Sequence, residues 1–493
     1  MLCCLFFLIA VLAEENLMDD SMTSRPAGPA PRPLRLARLV RPMQAFVQHA
    51  KSGGIVLLLA TLLAIVIANS PFGTDYLAVL DIHAGISIGP YTLNESLLLW
   101  INDGLMTIFF FLIGLEIKRE ILVGELASLR AAALPIIAAT GGVLVPAAIY
   151  ALINAGGPGG RGWGVPMATD IAFTLGCLAL LGARVPFALK VFLTAVAIVD
   201  DLMAVLVIAI FYSSELHLAA LGIGLVLLLG LVACNRLGVR RPPVYAVVGV
   251  LIWLAFLVSG IHATLAGVAV ALTIPARYRI DAPTFLGRAH GLLHGFPSAP
   301  DTTAPMLTDE TQQSAVLELE DLCEQVQAPL QKIEHRLHGW VTWLIMPIFA
   351  FANAGVVLSL ASIQGDAVPI VLGVVFGLTL GKPIGLVGAT WLAVRFGVAD
   401  LPRGASWRHM VGAGMLAGIG FTMSIFITTL AFDNTVHQAA AKCAILLASL
   451  LAGSAGVLFL RRMPVPVTAA PSRLETTQPA SDEDRPEYVV RAA

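Results

Sequence analysis

Charged residues are scarce in this sequence of 493 residues, and their scarcity is its most informative feature. Only 13% of the residues are Asp, Glu, Lys or Arg, whereas 57% are hydrophobic and the mean hydropathy is +0.84. A soluble domain carries about a quarter charged residues. The low charge therefore excludes an ordinary soluble enzyme or binding domain, and a net charge of −2 gives no reason to expect a nucleic-acid partner.

Cysteine is also scarce, and its placement excludes several kinds of site. The six cysteines include no CxxC pair and no spacing typical of a bound metal. Cys177, Cys234 and Cys443 lie in or at the ends of apolar runs, which is typical of free thiols that pack as small hydrophobic groups. A Walker-type nucleotide motif is absent as well. We expect no cofactor, and any transport would have to be secondary rather than driven by ATP.

What the sequence has in abundance is long apolar runs of the length that crosses a bilayer, roughly 20 residues each. Repeated runs of this kind are typical of an all-α polytopic membrane protein. We expect about twelve transmembrane helices, named spans 1 to 12, at 52–69, 96–117, 131–153, 163–181, 186–211, 216–234, 242–259, 261–275, 339–359, 367–394, 408–430 and 436–460.

Lysine and arginine are concentrated in alternate connections between these spans. The connection after span 2 carries Lys118, Arg119 and Arg130, and every second connection is similarly basic, whereas the six in between share a single basic residue, Arg161. Connections rich in Lys and Arg remain in the cytoplasm. We therefore expect both termini to be cytoplasmic, and the alternation supports an even number of spans.

The composition divides the chain into a membrane domain and three polar pieces. Residues 1–51 are expected to be a cytoplasmic and largely disordered extension, and 52–460 the transmembrane domain. Within that domain, 276–337 is a long cytoplasmic insertion whose polar, acidic stretch 301–324 is expected to be solvated. The tail 461–493 is rich in Pro, Ser, Thr and Glu and is expected to be disordered.

Two adjacent carboxylates, Asp200 and Asp201, lie in the apolar run AIVDDLMAV. The other ionisable residues near the middle of a span are Asp103, Asp170 and Lys382. Burying a carboxylate in hydrocarbon is costly, so an ionisable residue inside the membrane is a functional hypothesis by default. Structural ion pairs that fix helix packing are the alternative, and for Asp103 alone the two interpretations weigh equally.

Two spans are poorly formed helices. Span 4 carries Pro166, Thr169 and Asp170 in its middle. Span 11 has four glycines through its centre: Gly412, Gly414, Gly418 and Gly420. Broken helices at membrane depth are tolerated only where the freed backbone groups are buried in protein or line a polar cavity. Together with the buried carboxylates, two broken spans favour a transport site over close packing of small residues.

The adjacency of Asp200 and Asp201 indicates that they have different tasks. Successive residues of a helix point about 100° apart, so both cannot face one centre. One can bind a cation directly while the other lines the cavity or pairs with Lys382. Carboxylate oxygens suit a hard metal cation, and protons neutralise them when the cation leaves. A site where a cation and protons compete is sufficient chemistry for exchange.

With these residues assembled, the chain resembles the NhaA family of bacterial sodium/proton antiporters. The resemblance covers residues 52–460, in the order and helix positions of that family. It is carried by NDGLMTIFFFLIGLEIKRE (102–120), MATDIAFTLG (167–176), LTAVAIVDDLMAV (193–205), SGIHATLAG (259–267), IEHRLHGW (333–340), FAFANAG (349–355), LGKPIG (380–385) and GIGFTMSIFI (418–427).

The resemblance implies roles for the buried residues. Asp200 and Asp201 would bind the transported Na⁺ and carry the protons. Thr169 and Asp170 would lie where the interrupted spans 4 and 11 cross, with Asp170 offsetting the positive helix ends and Lys382 the negative ones. Inverted-topology repeats, spans 3–5 and 10–12, are a known property of this family and not something the residues show.

The resemblance also implies regulatory and supporting positions. Asp103 matches a supporting residue, and the extracytoplasmic hairpin at about 82–93 matches the family's homodimer contact. The positions associated with the response to pH are Glu116, Arg119, Glu120, His262, Glu334, His335 and His338. Each has a structural alternative, because His262 suits a helix cap and the glutamates have ordinary helix-surface spacing.

The sequence and the resemblance together predict a secondary Na⁺(Li⁺)/H⁺ antiporter, electrogenic and active at alkaline pH, in the bacterial inner membrane. It would be no enzyme, and its partners would be the transported ions, the bilayer and a second copy of the chain. An intramembrane aspartyl protease is the rival from another class, but its G-x-G-D motif is absent. A proton-coupled transporter of organic solutes is disfavoured by the all-carboxylate site.

Overall fold

The computed structural model describes residues 53–88, 91–213, 216–278, 280–294, 310–357 and 364–464. The expected N-terminal extension lies outside these residues, and so does the predicted tail apart from its first four residues. Within the described residues the chain is almost entirely helical, as its long apolar runs predict.

The elements follow in chain order. The first half of the chain forms α1 Gly53–Ala68, α2 Gly73–Leu80, β1 His83–Ile88, β2 Tyr91–Ser96, α3 Leu97–Val123, α4 Leu129–Ile153, a 3₁₀ helix Gly160–Met167, α5 Ile171–Leu180 and α6 Phe187–Phe211. The second half forms α7 Leu218–Arg236, α8 Pro242–Ser259, α9 Thr264–Thr273, α10 Ala282–His294, α11 Glu310–Val326, α12 Pro329–Ala354, α13 Gly365–Arg395, α14 Trp407–Ala417, α15 Phe421–Ala431 and α16 Thr435–Arg461.

The membrane-spanning helices fall where hydropathy predicts them, but the count of twelve is not confirmed. In the part of the chain that the structure describes, 9 helices are long and apolar enough to cross a membrane, or up to 11 if each of two bent pairs is one span. Span 8, expected at 261–275, is not among these helices, because its helix α9 has only 10 residues. At 1.5 Å per residue this helix reaches about half of the hydrocarbon thickness.

The two predicted interruptions are present. Span 4 is a 3₁₀ helix that ends at Met167, a short extended stretch, and then α5. Span 11 divides into α14 and α15, which are bent by 45° at the break that contains Gly418 and Gly420. Proline in the first case and glycine in the second lower the cost of leaving helical geometry.

The interrupted spans belong to two similar three-part units. One unit is α4, the 3₁₀ helix with α5, and α6; the other is α13, α14 with α15, and α16. Helices α4 and α13 pack antiparallel. Gly141 lies so close to Gly385 that a β-carbon on it would overlap the Gly385 carbonyl. Further along α4, Asn154 Nδ2 donates to Pro369 O at 3.0 Å, which lies earlier in α13. The units therefore run in opposite directions, which is the inverted arrangement that the resemblance implies.

Two small features lie outside these units. The predicted hairpin is confirmed, because β1 and β2 pair antiparallel with Ile86 opposite Leu93. In the insertion, the described part of the acidic stretch forms α11, whose Glu324 makes an ion pair with Lys332 at the start of α12. The acidic stretch is thus attached directly to the helix that carries Glu334.

Candidate functional site

The breaks of the two interrupted spans touch, and each satisfies backbone groups of the other. The amide of Asp170 donates to Ile419 O at 2.7 Å, and Thr174 Oγ1 donates to Leu416 O at 3.2 Å. The Thr169 hydroxyl donates to Ala417 O at 3.0 Å. Lipid offers no such partners, so the crossing is what permits both breaks at membrane depth.

One carboxylate caps two helices at this crossing. Asp170 Oδ1 accepts from Phe173 N at 3.0 Å and so caps α5, while its Oδ2 accepts from Thr422 N at 3.1 Å and from Thr422 Oγ1 at 2.5 Å, at the start of α15. Both helix N-termini present free amide groups and a partial positive charge. Asp170 is 1% exposed and neutralises both ends at once.

The lysine of α13 lies on the opposite side of the crossing. Lys382 Nζ donates to Asp200 Oδ2 at 2.6 Å and to Met167 O at 2.5 Å, the last carbonyl of the 3₁₀ helix. The Thr169 hydroxyl also lies 2.7 Å from Asp200 Oδ2, so its single proton is shared between that oxygen and the Ala417 carbonyl. Asp200 Oδ2 is therefore held by a cation and a hydroxyl in a buried site, where the side chain is 1% exposed.

Asp201 has a different environment from its neighbour. Its side chain is fully buried, and neither oxygen has a hydrogen-bond partner among the described residues. It lies on the wall of a cavity of about 80 Å³, together with Asp170, Thr422, Glu116 and His338. The structure thus resolves the alternatives left by the sequence, since Asp200 pairs with Lys382 and Asp201 faces the cavity.

The charges at the crossing do not balance. Asp170, Asp200 and Asp201 contribute three negative charges when ionised, against one positive charge from Lys382. An uncompensated charge in a medium of low dielectric is costly, so the site favours uptake of a cation or of protons. The cavity reaches both Asp170 and Asp201, but the oxygens of Asp170 accept described hydrogen bonds whereas those of Asp201 do not.

Five of the seven residues that the resemblance links to pH lie together, in or beside the wall of the cavity. Glu116 of α3 and His338 of α12 form part of its wall. Nearby, Arg119 of α3 makes ion pairs with Glu334 of α12 and, at 3.0 Å, with Glu120. The structure therefore brings these five residues to one place, although Arg119 and Glu334 are distant in the sequence.

Three of the residues singled out from the sequence lie elsewhere. His335 is exposed on the surface of α12. His262 Nε2 lies 2.7 Å from Tyr212 O, directly after α6 and about 16 Å along that helix from Asp201. Asp103 lies in a π-helical turn of α3, where its carbonyl accepts from Trp253 Nε1 at 3.2 Å. None of the three contacts the crossing through a described hydrogen bond.

Thr422 is the residue that the sequence interpretation missed. It binds Asp170 through both its backbone and its hydroxyl, yet it was not singled out within GIGFTMSIFI. Its position gives a usable signal, because a hydroxyl residue directly after a break in an apolar span lies at a helix N-terminus. Asp170, which accepts from that hydroxyl, is 252 positions away, so no local sequence pattern predicts the contact.

Comparison with known proteins gives matches over most of the chain. The family model described as Na⁺/H⁺ antiporter 1 matches residues 44–460. The Na⁺/H⁺ antiporter NhaA of Oleidesulfovibrio alaskensis is 51% identical over 434 residues, which cover 88% of this chain and 96% of the relative. NhaA 2 of Syntrophotalea carbinolica is 49% identical over 87% of this chain and 98% of its own length, and NhaA of Koribacter versatilis is 46% identical over 94% and 100%.

The buried ion pair makes a prediction about stability. Lys382→Met should destabilise the protein by about 3–5 kcal/mol, because it leaves Asp200 buried without its cation. Adding Asp200→Asn should recover a large part of this loss, since residue 200 then carries no buried charge that needs the lysine. The measurement is the thermal unfolding midpoint in detergent of both single variants and the double variant.

The control for this measurement is a second Lys–carboxylate pair. Lys332 and Glu324 form an ion pair whose side chains are 26% and 57% exposed. Lys332→Met should change stability by no more than about 1 kcal/mol, as exposed pairs do. Additive losses in the Lys382 and Asp200 variants would contradict the proposed dependence of the two residues on each other.

Proposed function

The chain belongs to the NhaA family of Na⁺/H⁺ antiporters, and from that premise we propose that it exports Na⁺, and also Li⁺, in exchange for protons that move inward. The observation that carries this proposal is Asp201, a buried carboxylate without a hydrogen-bond partner among the described residues and on the wall of a cavity. The protein would be a secondary transporter of the bacterial inner membrane and would catalyse no chemical conversion.

Asp201 is the proposed ligand of the cation. Both of its oxygens are available, and oxygen ligands suit small hard cations such as Na⁺ and Li⁺. The cavity connects this carboxylate to the end of α3 that carries Arg119, which the distribution of basic residues assigns to the cytoplasm. A cytoplasmic cation would therefore reach Asp201 past Glu116 and His338.

Asp200 and Lys382 are the proposed second proton-carrying unit. Their charges are coupled by a buried contact of 2.6 Å, so a change of protonation at one alters the other. If Asp201 and this pair each take up one proton as one cation leaves, each cycle moves one net positive charge inward. Exchange would then be electrogenic.

Alternating access is the proposed mechanism. The crossing joins α5, α6, α13 and α15 through hydrogen bonds that involve Thr169, Asp170 and Lys382. Such a unit can move as one body and carry the site from one side of the membrane to the other, as in other transporters with inverted repeats. The free energy comes from the proton gradient and the membrane potential.

The ion pairs beside the wall of the cavity support activation at alkaline pH. Arg119 is held between Glu334 and Glu120, and Glu116 lines the cavity beside them. Protonation of Glu334 would weaken the Arg119–Glu334 ion pair that connects α3 to α12, and so alter the entrance. Exchange at alkaline pH would serve the homeostasis of pH and sodium.

A homodimer is proposed through the β1–β2 hairpin. The two strands extend between α2 and α3, and Trp100 Nε1 donates to Ala84 O at 2.9 Å, which fixes the hairpin to the helix below. A two-stranded sheet is marginal alone, so pairing of the hairpins of two copies would stabilise both.

The first functional prediction concerns the two aspartates. Asp201→Asn should abolish the Na⁺-induced collapse of ΔpH in everted vesicles, because an amide neither exchanges a proton nor balances the charge of the cation. Asp200→Asn should be nearly as severe. Asp433→Asn, at a side chain that is 96% exposed, is the control and should leave exchange intact. Near-normal exchange in both folded variants would show that the site is wrongly assigned.

The second prediction concerns pH and affinity. If protons and Na⁺ compete for Asp201, the apparent affinity for Na⁺ should rise steeply with pH. The measurement is the concentration of Na⁺ that gives half-maximal exchange in everted vesicles, determined across the pH range. It is repeated with Li⁺ and with K⁺. An affinity that did not change with pH would rule out direct competition.

The third prediction concerns charge movement. Exchange of two protons for one cation lets the membrane potential assist export by about 2.3 kcal/mol per 100 mV. Addition of Na⁺ without a pH gradient should therefore produce a current on a supported membrane that carries the protein. Electroneutral exchange would mean one proton per cation, and Asp200 would then be only a structural partner of Lys382.

A further inference from the structure

The acidic helix of the insertion, α11, has one buried side and one exposed face. Leu322 is 4% exposed, whereas Val316 and Leu317 are 40% and 64% exposed. Residues four apart on a helix are neighbours, so Glu320 and Asp321, which are also exposed, continue the face that Val316 and Leu317 begin. We call these four residues the outer face of α11.

The outer face combines apolar side chains with carboxylates. Helix α11 contains five acidic residues and no basic residue. Among the described residues, Glu324 pairs with Lys332, but no ion pair reaches Glu320 or Asp321. A surface of this kind fits a partner that is basic and apolar at once, because complementary charge sets the register and apolar contact adds affinity.

The chain itself contains a segment of that composition. Residues 25–41, RPAGPAPRPLRLARLVR, include five arginines and no acidic residue, and the arginines of its second half alternate with apolar residues: Leu34, Leu36, Leu39 and Val40. We call residues 25–41 the arginine segment. It lies outside the described residues, in the part of the chain that is expected in the cytoplasm together with the insertion. Its five positive charges equal in number the five carboxylates of α11.

The arginine segment is attached close enough to α11 to reach it. Helix α1 begins at Gly53, which lies so close to Thr342 of α12 that a β-carbon on it would overlap the threonine side chain. Lys332, which holds α11 through Glu324, is ten residues before Thr342, or about 15 Å along α12. The eleven residues 42–52 span up to about 40 Å when extended, which exceeds this distance.

We propose that the arginine segment docks on the outer face of α11, with its arginines beside Glu320 and Asp321 and its leucines against Val316 and Leu317. An exposed ion pair alone contributes little, so the contact depends on several pairs together with the apolar residues. The tether makes the binding intramolecular and so raises the effective concentration of the segment. The docked segment would connect the start of the chain to the insertion.

The test is the rate at which trypsin cuts the arginine segment in the purified full-length protein. Trypsin cuts after arginine but not before proline, so within this segment it cuts only after Arg35 and Arg38. The peptides that end at these residues are measured by mass spectrometry, in detergent without anionic lipid and at low salt. Glu320→Lys should be cut several times faster than the wild type, because the new lysine repels the arginines.

A second variant tests the apolar part of the contact without changing any charge. Leu317→Ser should also be cut faster than the wild type, because the leucines of the segment lose their contact. Leu293→Ser is its matched control, since Leu293 is 59% exposed but lies on α10. This control should be cut at the wild-type rate.

The matched control for the charge is Glu318→Lys. Glu318 is exposed on the same helix, but it lies about 130° around the helix axis from the centre of the outer face. The substitution changes the charge by the same amount as Glu320→Lys, and it should leave the cleavage rate close to that of the wild type.

Three results would overturn the proposal. The first is cleavage of Glu320→Lys and Leu317→Ser at the wild-type rate. The second is equally fast cleavage of Glu318→Lys and Glu320→Lys, because the charge of the helix and not its outer face would then be responsible. The third is slow cleavage that appears only when vesicles of anionic lipid are added and that is the same in every variant, because the segment would then bind the bilayer.

The thermal unfolding midpoint of each variant separates release of the segment from general unfolding. Both substituted side chains are exposed, so the midpoint should match that of the wild type. If Glu320→Lys lowers the midpoint, Leu317→Ser decides the question. The cleavage assay needs no transported ion, so its result does not depend on the proposed exchange function.

Discussion

The rest of the structure depends on one constraint, which is that two helices broken at membrane depth must satisfy their free backbone groups without water. Each break supplies what the other lacks: the amide of Asp170 binds the carbonyl of Ile419, and the Asp170 carboxylate caps the helix that begins at Phe421. A second buried charge serves the same break, because Lys382 of α13 donates to the Met167 carbonyl and pairs with Asp200. Packing the two inverted units against each other is what brings these groups together.

The adjacency of Asp200 and Asp201 follows from the same constraint. A helix turns by about 100° between neighbouring residues, so α6 can present one carboxylate to the crossing and the other to the cavity. Asp200 is occupied by Lys382 and Thr169 and stabilises the crossing, while Asp201 keeps its oxygens available. The pair thus combines a carboxylate that is already paired with one that has no hydrogen-bond partner among the described residues, and the two are close enough for each to sense the other's protonation.

Hydropathy predicts most of the helices, because crossing a bilayer imposes both a length and an apolar surface on a segment. Span 7 was predicted at 242–259 and α8 occupies those residues, yet span 8 contains only the short α9 between Gly260 and Pro275. An apolar run does not reveal whether its flanks are helical. The buried aspartates were also identified from the sequence, because carboxylates are rare within apolar membrane-spanning runs.

The contacts that join α3 to α12 were not predicted from the sequence, because one sequence carries no information on distance in space. Arg119 and Glu334 are 215 positions apart, and Asn102 and Asn353 are 251 apart, yet these two contacts tie α3 to α12. Their positions near opposite ends of the same helix pair have a mechanical consequence. Two helices tied at both ends can tilt as one body, so the proposed movement of the crossing past them would widen one side of the site while it narrowed the other. Access from both sides at once would thereby be excluded, which is the condition that the proposed exchange requires.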